Sequence, residues 1–156
     1  ERIDVCIHPQ SIVHSMVEYE DGSVIAQMGV PDMKGPISYA LAYPERVPGA
    51  ISPLDLCDAG ALEFFPPDPV RFPALDLAYE AAGRGGTAPA VLNASNEVAV
   101  EAFVAGKIGF QDITSIVKET LESHQAEQVE TIEDVLRADG WARNKAWAIV
   151  EKGKIT

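Results

Sequence analysis

The chain has 156 residues, with 12 Lys+Arg against 24 Asp+Glu, a formal charge of −12 and 47% hydrophobic residues. That length and apolar content suit one domain or two small ones with a real core. The charge removes the electrostatic footprint that nucleic acid or an anionic membrane surface needs, so neither is expected as a partner. The apolar runs are only a few residues long, far short of the ~20 a membrane helix needs. The opening Glu1-Arg2-Ile3-Asp4 lacks both the charged and the apolar regions of a secretory leader. It also lacks Met and opens in strand-like sequence, so a fragment of a longer protein is expected. Cys6 and Cys57 stand far apart with no C-x-x-C pairing. Two buried free thiols in a reducing, cytoplasmic setting are expected, with a single disulfide as the alternative.

Ile3, Val5 and Ile7 alternate with Asp4 and Cys6, the period-2 pattern of a half-buried strand. Residues 12–19 continue in β-prone style, Asp21-Gly22 supplies a turn, and residues 24–28 resume as a second strand. Asp-Gly between two such runs signals a hairpin. A lone hairpin is marginal in water, so residues 13–28 are expected to lie on a larger sheet, a helix or another subunit.

Prolines at 31, 36, 44, 48, 53, 66 and 67 then exclude long regular elements. Short helices fit over 37–43 and over 54–62 after Ser52-Pro53. The later part of this stretch reads as an extended arm, with a surface loop inside one domain as the alternative. Beyond Arg71 the pattern turns helical. One helix is expected after Pro73, with Leu75, Ala78, Tyr79 and Ala82 on its apolar face, closed by Gly83, Gly85 and Gly86. A second runs over 88–105, with Val91, Leu92, Ser95, Val98, Ala99, Ala102 and Phe103 at spacings of three and four; a third runs over 112–123, with Ile113, Ile116, Val117, Thr120 and Leu121 inward. Thr131 to Asp134 resembles a capping box that opens a short turn, and Asp139 is expected to cap a last helix carrying Trp141, Trp147 and Val150. The fold class is therefore α+β: a β-hairpin remnant of an α/β domain, a proline-rich arm, and a C-terminal body like a four-helix bundle. Boundaries are expected at 1–42, 43–68 and 69–156.

Few constellations carry chemistry. His8 and His14 share strand parity with Cys6, but six extended residues span about 20 Å, so they do not converge on one ion without a bend. By pattern alone His14 is either a satisfied structural histidine or a site residue. Glu97 and Glu101 at i,i+4 read as a solvated face, and Asn93 and Asn96 as a polar network at a helix seam. Gly83-Arg84-Gly85-Gly86 follows a helix rather than a strand and reads as a helix stop.

Three stretches point further: the run from Ile7-His8-Pro9-Gln10-Ser11 through His14-Ser15-Met16-Val17, the turn Asp21-Gly22-Ser23, and Gly29-Val30-Pro31-Asp32-Met33. Together with Pro53-Leu54-Asp55 and Leu92-Asn93-Ala94-Ser95-Asn96-Glu97, they closely resemble the C-terminal part of the 1-deoxy-D-xylulose 5-phosphate reductoisomerase family. The resemblance implies a three-part subunit whose dinucleotide-binding domain and much of whose catalytic domain lie upstream of this chain. It implies an NADPH-dependent rearrangement and reduction to 2-C-methyl-D-erythritol 4-phosphate, assisted by Mg²⁺ or Mn²⁺, within non-mevalonate isoprenoid synthesis. The family's metal carboxylates lie upstream, so no metal ligand and no catalytic residue is expected here, and the chain alone is expected to be inactive. By motif, His14 and Ser11 correspond to the substrate pocket, and Pro31 and Met33 to the nicotinamide and substrate side. The strand that starts at Ser23 and ends at Gly29 corresponds to a homodimer contact, a role suited to an edge strand. A stand-alone dimerisation or binding module derived from the enzyme is the alternative.

Overall fold

The computed structural model describes residues 3–153. They form a two-stranded antiparallel sheet and six helices, and the chain divides into two compact units, Glu1–Pro67 and Asp68–Thr156.

In the first unit, strands β1 (Val13–Glu18) and β2 (Val24–Met28) pair with Val17 opposite Ile25 and Glu18 opposite Val24. The turn between them closes as its sequence demands. Gly22 takes φ +81°, its amide bonds the Tyr19 carbonyl at 2.9 Å, and the Asp21 carboxylate accepts the Ser23 amide at 2.9 Å. These Ser23 bonds, the hydroxyl's first, hold the Asp21 carboxyl below its usual range.

The strand expected at residues 3–7 does not form. Asp4 turns its carboxylate onto the Val5 amide at 2.8 Å, a local bond that competes with a ladder. Ile7 makes an antiparallel bridge to Phe65 with N···O distances of 2.8 and 2.9 Å. The second half of the proline-rich stretch is thus tied back onto the start of the same unit.

Helix α1 (Lys34–Ala42) begins earlier than expected, because the Asp32 carboxylate accepts the Lys34 amide at 2.9 Å. Pro36 sits in its first turn, where a missing N–H costs little. Helix α2 is the single turn Leu56–Ala59, shorter than the expected 54–62. Its cap is Asp55, which accepts the Cys57 and Asp58 amides, rather than Ser52, and Gly60 at φ +67° ends it. Both cysteines are free, but they are exposed rather than buried as expected. This unit has little interior in which to bury them: Gly29 is its sole fully buried residue among those described.

The second unit is helical: α3 (Ala74–Arg84), α4 (Ala88–Val104), α5 (Asp112–Glu122) and α6 (Ile132–Lys152). Helix α4 packs against the other three. Its buried face of Ala88, Val91, Ala94, Ser95, Val98, Ala99 and Ala102 is mostly small, so α6 approaches closely with Ala138, Ala142 and Ala146. The buried hydroxyls of Ser95 and Thr120 donate to the carbonyls one turn back, each at 2.7 Å, which satisfies them within their own helices.

Two expectations here need correction. On α3 the buried residues are Leu77 and Ala81, while Ala78 and Ala82 face solvent. The stripe is rotated because α3 meets α4 along that i,i+4 pair. On α6, Thr131 caps the entire 21-residue helix, and Asp139 lies within it. Gly140 does not interrupt the helix, since Ala138, Ala142, Ala146 and Ile149 bury one continuous face, and Asp139 instead grips Arg143 at 2.7 Å. The connection from α5 to α6 is pinned to the α3–α4 corner. Thr87 accepts the Glu127 amide at 3.0 Å on its hydroxyl, and its own amide reaches the Glu127 carbonyl at 3.0 Å. Gly86, at φ +53°, lies so near that a Cβ there would stand 2.2 Å from the Glu127 oxygen.

Candidate functional site

The residues singled out by sequence fall in two stretches of the first unit that meet at the open end of the hairpin. The Gly29 amide donates to the Ile12 carbonyl at 3.0 Å, so residues 11–14 and the exit of β2 run side by side. His14 stands where the ladder slips. Val13 faces Met28 and Ser15 faces Gln27, which leaves His14 without a cross-strand partner in a β-bulge. A bulge bends its strand and re-aims the extra side chain. The ring of His14 is exposed and passes over Gly29, with Nε2 3.9 Å from where a Cβ of residue 29 would lie.

Ser11 precedes β1 rather than lying on it. It adopts φ +51°, a left-handed conformation costing a non-glycine residue roughly 1–2 kcal/mol. Its amide closes a turn onto the His8 carbonyl at 3.1 Å. Across the Ile12–Gly29 bond, Pro31 and Met33 lead into α1, and Met33 is 70% exposed, an uncovered thioether able to line an apolar surface. Between them Asp32 is occupied by the Lys34 amide and, at 3.9 Å, by its ammonium group.

His8 is not near a cluster of ligands. Its Nδ1 lies 2.8 Å from the Glu63 carbonyl, an oxygen that can only accept, so Nδ1 carries the proton. The ring stacks on Phe64 at 4.6 Å between centroids and 13° between planes. Its Nε2 is shielded and has no partner among the described residues. The strand parity of His8 hints only at a metal ligand, whereas its partners Glu63 and Phe64 lie 55 and 56 residues away, beyond any local pattern. No three His, Cys, Asp or Glu side chains come together as a metal site among the described residues. The described residues therefore offer no donor set that fits a cation.

The remaining candidates are structural. Glu97 bridges α4 to Arg143 of α6 at 2.6 Å and accepts from Asn93 at 3.2 Å; these bonds, Arg143 first, hold its carboxyl below the usual range. That suits a helix clamp better than a general acid. Gly85, at φ +66°, closes α3 by donating to the Ala81 carbonyl at 3.1 Å.

Comparison with known proteins adds four findings. The family model described as the DXP reductoisomerase C-terminal domain matches residues 28–145. A Geobacter metallireducens 1-deoxy-D-xylulose 5-phosphate reductoisomerase is 58% identical over 150 residues, covering 96% of this chain and 39% of that protein. Among solved structures, the Zymomonas mobilis 1-deoxy-D-xylulose 5-phosphate reductoisomerase in complex with NADPH matches with a TM-score of 0.86 and 47% identity, over 95% of this chain and 39% of that one. A DOX-P reductoisomerase in complex with NADPH, fosmidomycin and magnesium matches with a TM-score of 0.82 and 45% identity, over 94% and 38%. The chain thus spans about 39% of the length of the relatives it matches.

Proposed function

The chain belongs to the DXP reductoisomerase C-terminal domain family, and from that premise we propose that it is the C-terminal portion of a cytoplasmic enzyme. That enzyme converts 1-deoxy-D-xylulose 5-phosphate to 2-C-methyl-D-erythritol 4-phosphate with NADPH and Mg²⁺ or Mn²⁺. The cation and the cofactor would be gripped chiefly by domains outside these 156 residues. The observation that carries the reading for this chain is the bulge at His14 over Gly29. It presents an imidazole at the end of a hairpin, beside the exposed Pro31–Met33 stretch.

In this reading His14 orients the substrate by hydrogen bonding, and Ser11 offers its hydroxyl from the turn before β1. Pro31 and Met33 supply an apolar wall toward the nicotinamide. Such a division of labour is usual for pockets, where few polar groups fix orientation against apolar walls. The hairpin would be the visible edge of a larger sheet, residues 43–68 a connecting arm, and the second unit a C-terminal helical bundle. The outer edge of β2, with Ile25 62% exposed, would meet its copy in a homodimer.

The test is a chimera in which this chain replaces the matching part of the Geobacter metallireducens relative. It should oxidise NADPH on 1-deoxy-D-xylulose 5-phosphate with Mg²⁺ and sediment as a dimer, whereas the 156-residue chain alone should turn over none. His14→Ala in the chimera should lower kcat/KM about 10-fold or more, the scale of one lost polar contact to a charged substrate, while Tm holds. Unchanged kcat/KM would return His14 to a structural role. A chimera that dimerises without turnover would favour an assembly module.

A further inference from the structure

We propose that His8 is a positioning residue for the pocket, its ring clamping the turn that holds Ser11 and leads into His14. The inference rests on the reading of Ser11 and His14 as pocket residues and deepens it. Ser11 occupies a conformation that its own sequence does not favour, so its surroundings must impose it. The turn is closed by the Ser11 amide on the His8 carbonyl, which makes the placement of His8 decisive.

His8 is held from two directions at once. Its Nδ1–H donates to the Glu63 carbonyl at 2.8 Å, and its ring lies flat on Phe64. On either side the chain is tied to the same strap. Ile7 exchanges two backbone bonds with Phe65. The Gln10 amide group donates to the Glu63 carboxylate at 2.8 Å and accepts the Glu63 backbone N–H at 3.2 Å. Residues 63–65 therefore grip residues 7, 8 and 10, and the first residue past the grip is Ser11. Histidine suits the central position because it joins a flat stacking face to a donor at Nδ1. Phenylalanine keeps only the face, and asparagine keeps only the donor. The Ile7–Phe65 bridge and the Gln10–Glu63 bonds hold the chain on either side of Pro9, and the His8 ring contacts hold the residue whose carbonyl the Ser11 amide bonds.

The test uses the active chimera and compares His8→Phe, His8→Asn and His8→Ala with Ser11→Ala and His14→Ala. His8→Ala should raise KM for the ketose phosphate about 5-fold with kcat altered less than about 2-fold, and the two partial variants should fall between. Amide hydrogen exchange at Ser11 should quicken about 10-fold in His8→Ala, with no change at Val24–Met28. Should His8→Ala fail to fold, Phe64→Leu and His8→Asn carry the same two readouts. Unchanged exchange at Ser11 together with unchanged KM overturns the proposal. A raised KM in Ser11→Ala and His14→Ala but not in any His8 variant also overturns it and leaves the pocket reading standing. If Ser11→Ala and His14→Ala leave KM unchanged, the pocket reading fails, and the positioning role falls with it even where exchange at Ser11 quickens.

Discussion

The two units of the chain solve the folding problem in opposite ways. In the second, fifteen apolar residues are buried among those described, fourteen of them in two clusters along α4 and its neighbours. In the first, Gly29 alone is fully buried among the described residues, while Met16, Val17, Val24, Ile25 and Phe65 are all exposed. Burial of apolar area is the dominant favourable term in folding. The second unit therefore carries its own stability, and the first is held by hydrogen bonds, turns and one long-range clamp. The residues proposed for the pocket all lie in the weaker unit. A region with few buried contacts is where binding surfaces are completed by other elements.

The contrast can be broken most sharply by truncating one side chain in each unit and following urea unfolding of the 156-residue chain. Leu121→Ala, at a site 2% exposed, should cost about 2–5 kcal/mol. Ile25→Ala, in a cross-strand pair with Val17, should cost less than about 1 kcal/mol. Equal costs would mean that the hairpin is as well supported as the helices.

A smaller effect sharpens the account of α6. Thr131→Ala removes the capping box and should cost about 1 kcal/mol. The partner Asp134 is held down to about 2 by the backbone N–H groups of Thr131 and Glu130, then by Arg137. A carboxyl depressed in the folded state stabilises above its ordinary pKa of 3.8 and loses that contribution as pH falls toward about 2. Asp134→Asn should therefore flatten the stability curve in that window, read from thermal melts between pH 5 and pH 2. The smallest prediction has the opposite sign. A Cβ at Gly140 meets nothing within 4 Å, so Gly140→Ala should stabilise the second unit by up to about 1 kcal/mol and raise its Tm.

The helices α4 and α5 were legible because their apolar spacing and their burial coincide: Val91, Val98, Ile116 and Leu121 are inward both by period and in the structure. The Asp21-Gly22 turn was legible for a similar reason, since local chemistry decides it. Elsewhere tertiary contact overrode local preference. Gly140 and Asp139 look like a helix boundary until the alanine face on either side is buried against α4. The rotated stripe of α3 is fixed by its neighbour and not by its own period. At the candidate site, Ser11, His14, Pro31 and Met33 stand out by motif alone. The bulge at His14 could not, because it depends on the register between two strands. Nor could the partners of His8, which arrive from more than fifty residues away.

That distance has a consequence for how the chain can vary. The Ile7–Phe65 bridge closes the intervening segment into a loop, and the entropy of closure grows only slowly with length. Doubling such a loop costs about 0.6 kcal/mol, so insertions or deletions between α1 and α2 are nearly free as long as residues 63–65 still reach the clamp. The turn from His8 to Ser11 has no such slack, because one added residue would break the His8–Ser11 bond. The segment therefore combines a stretch whose length can drift with two short anchors whose spacing cannot.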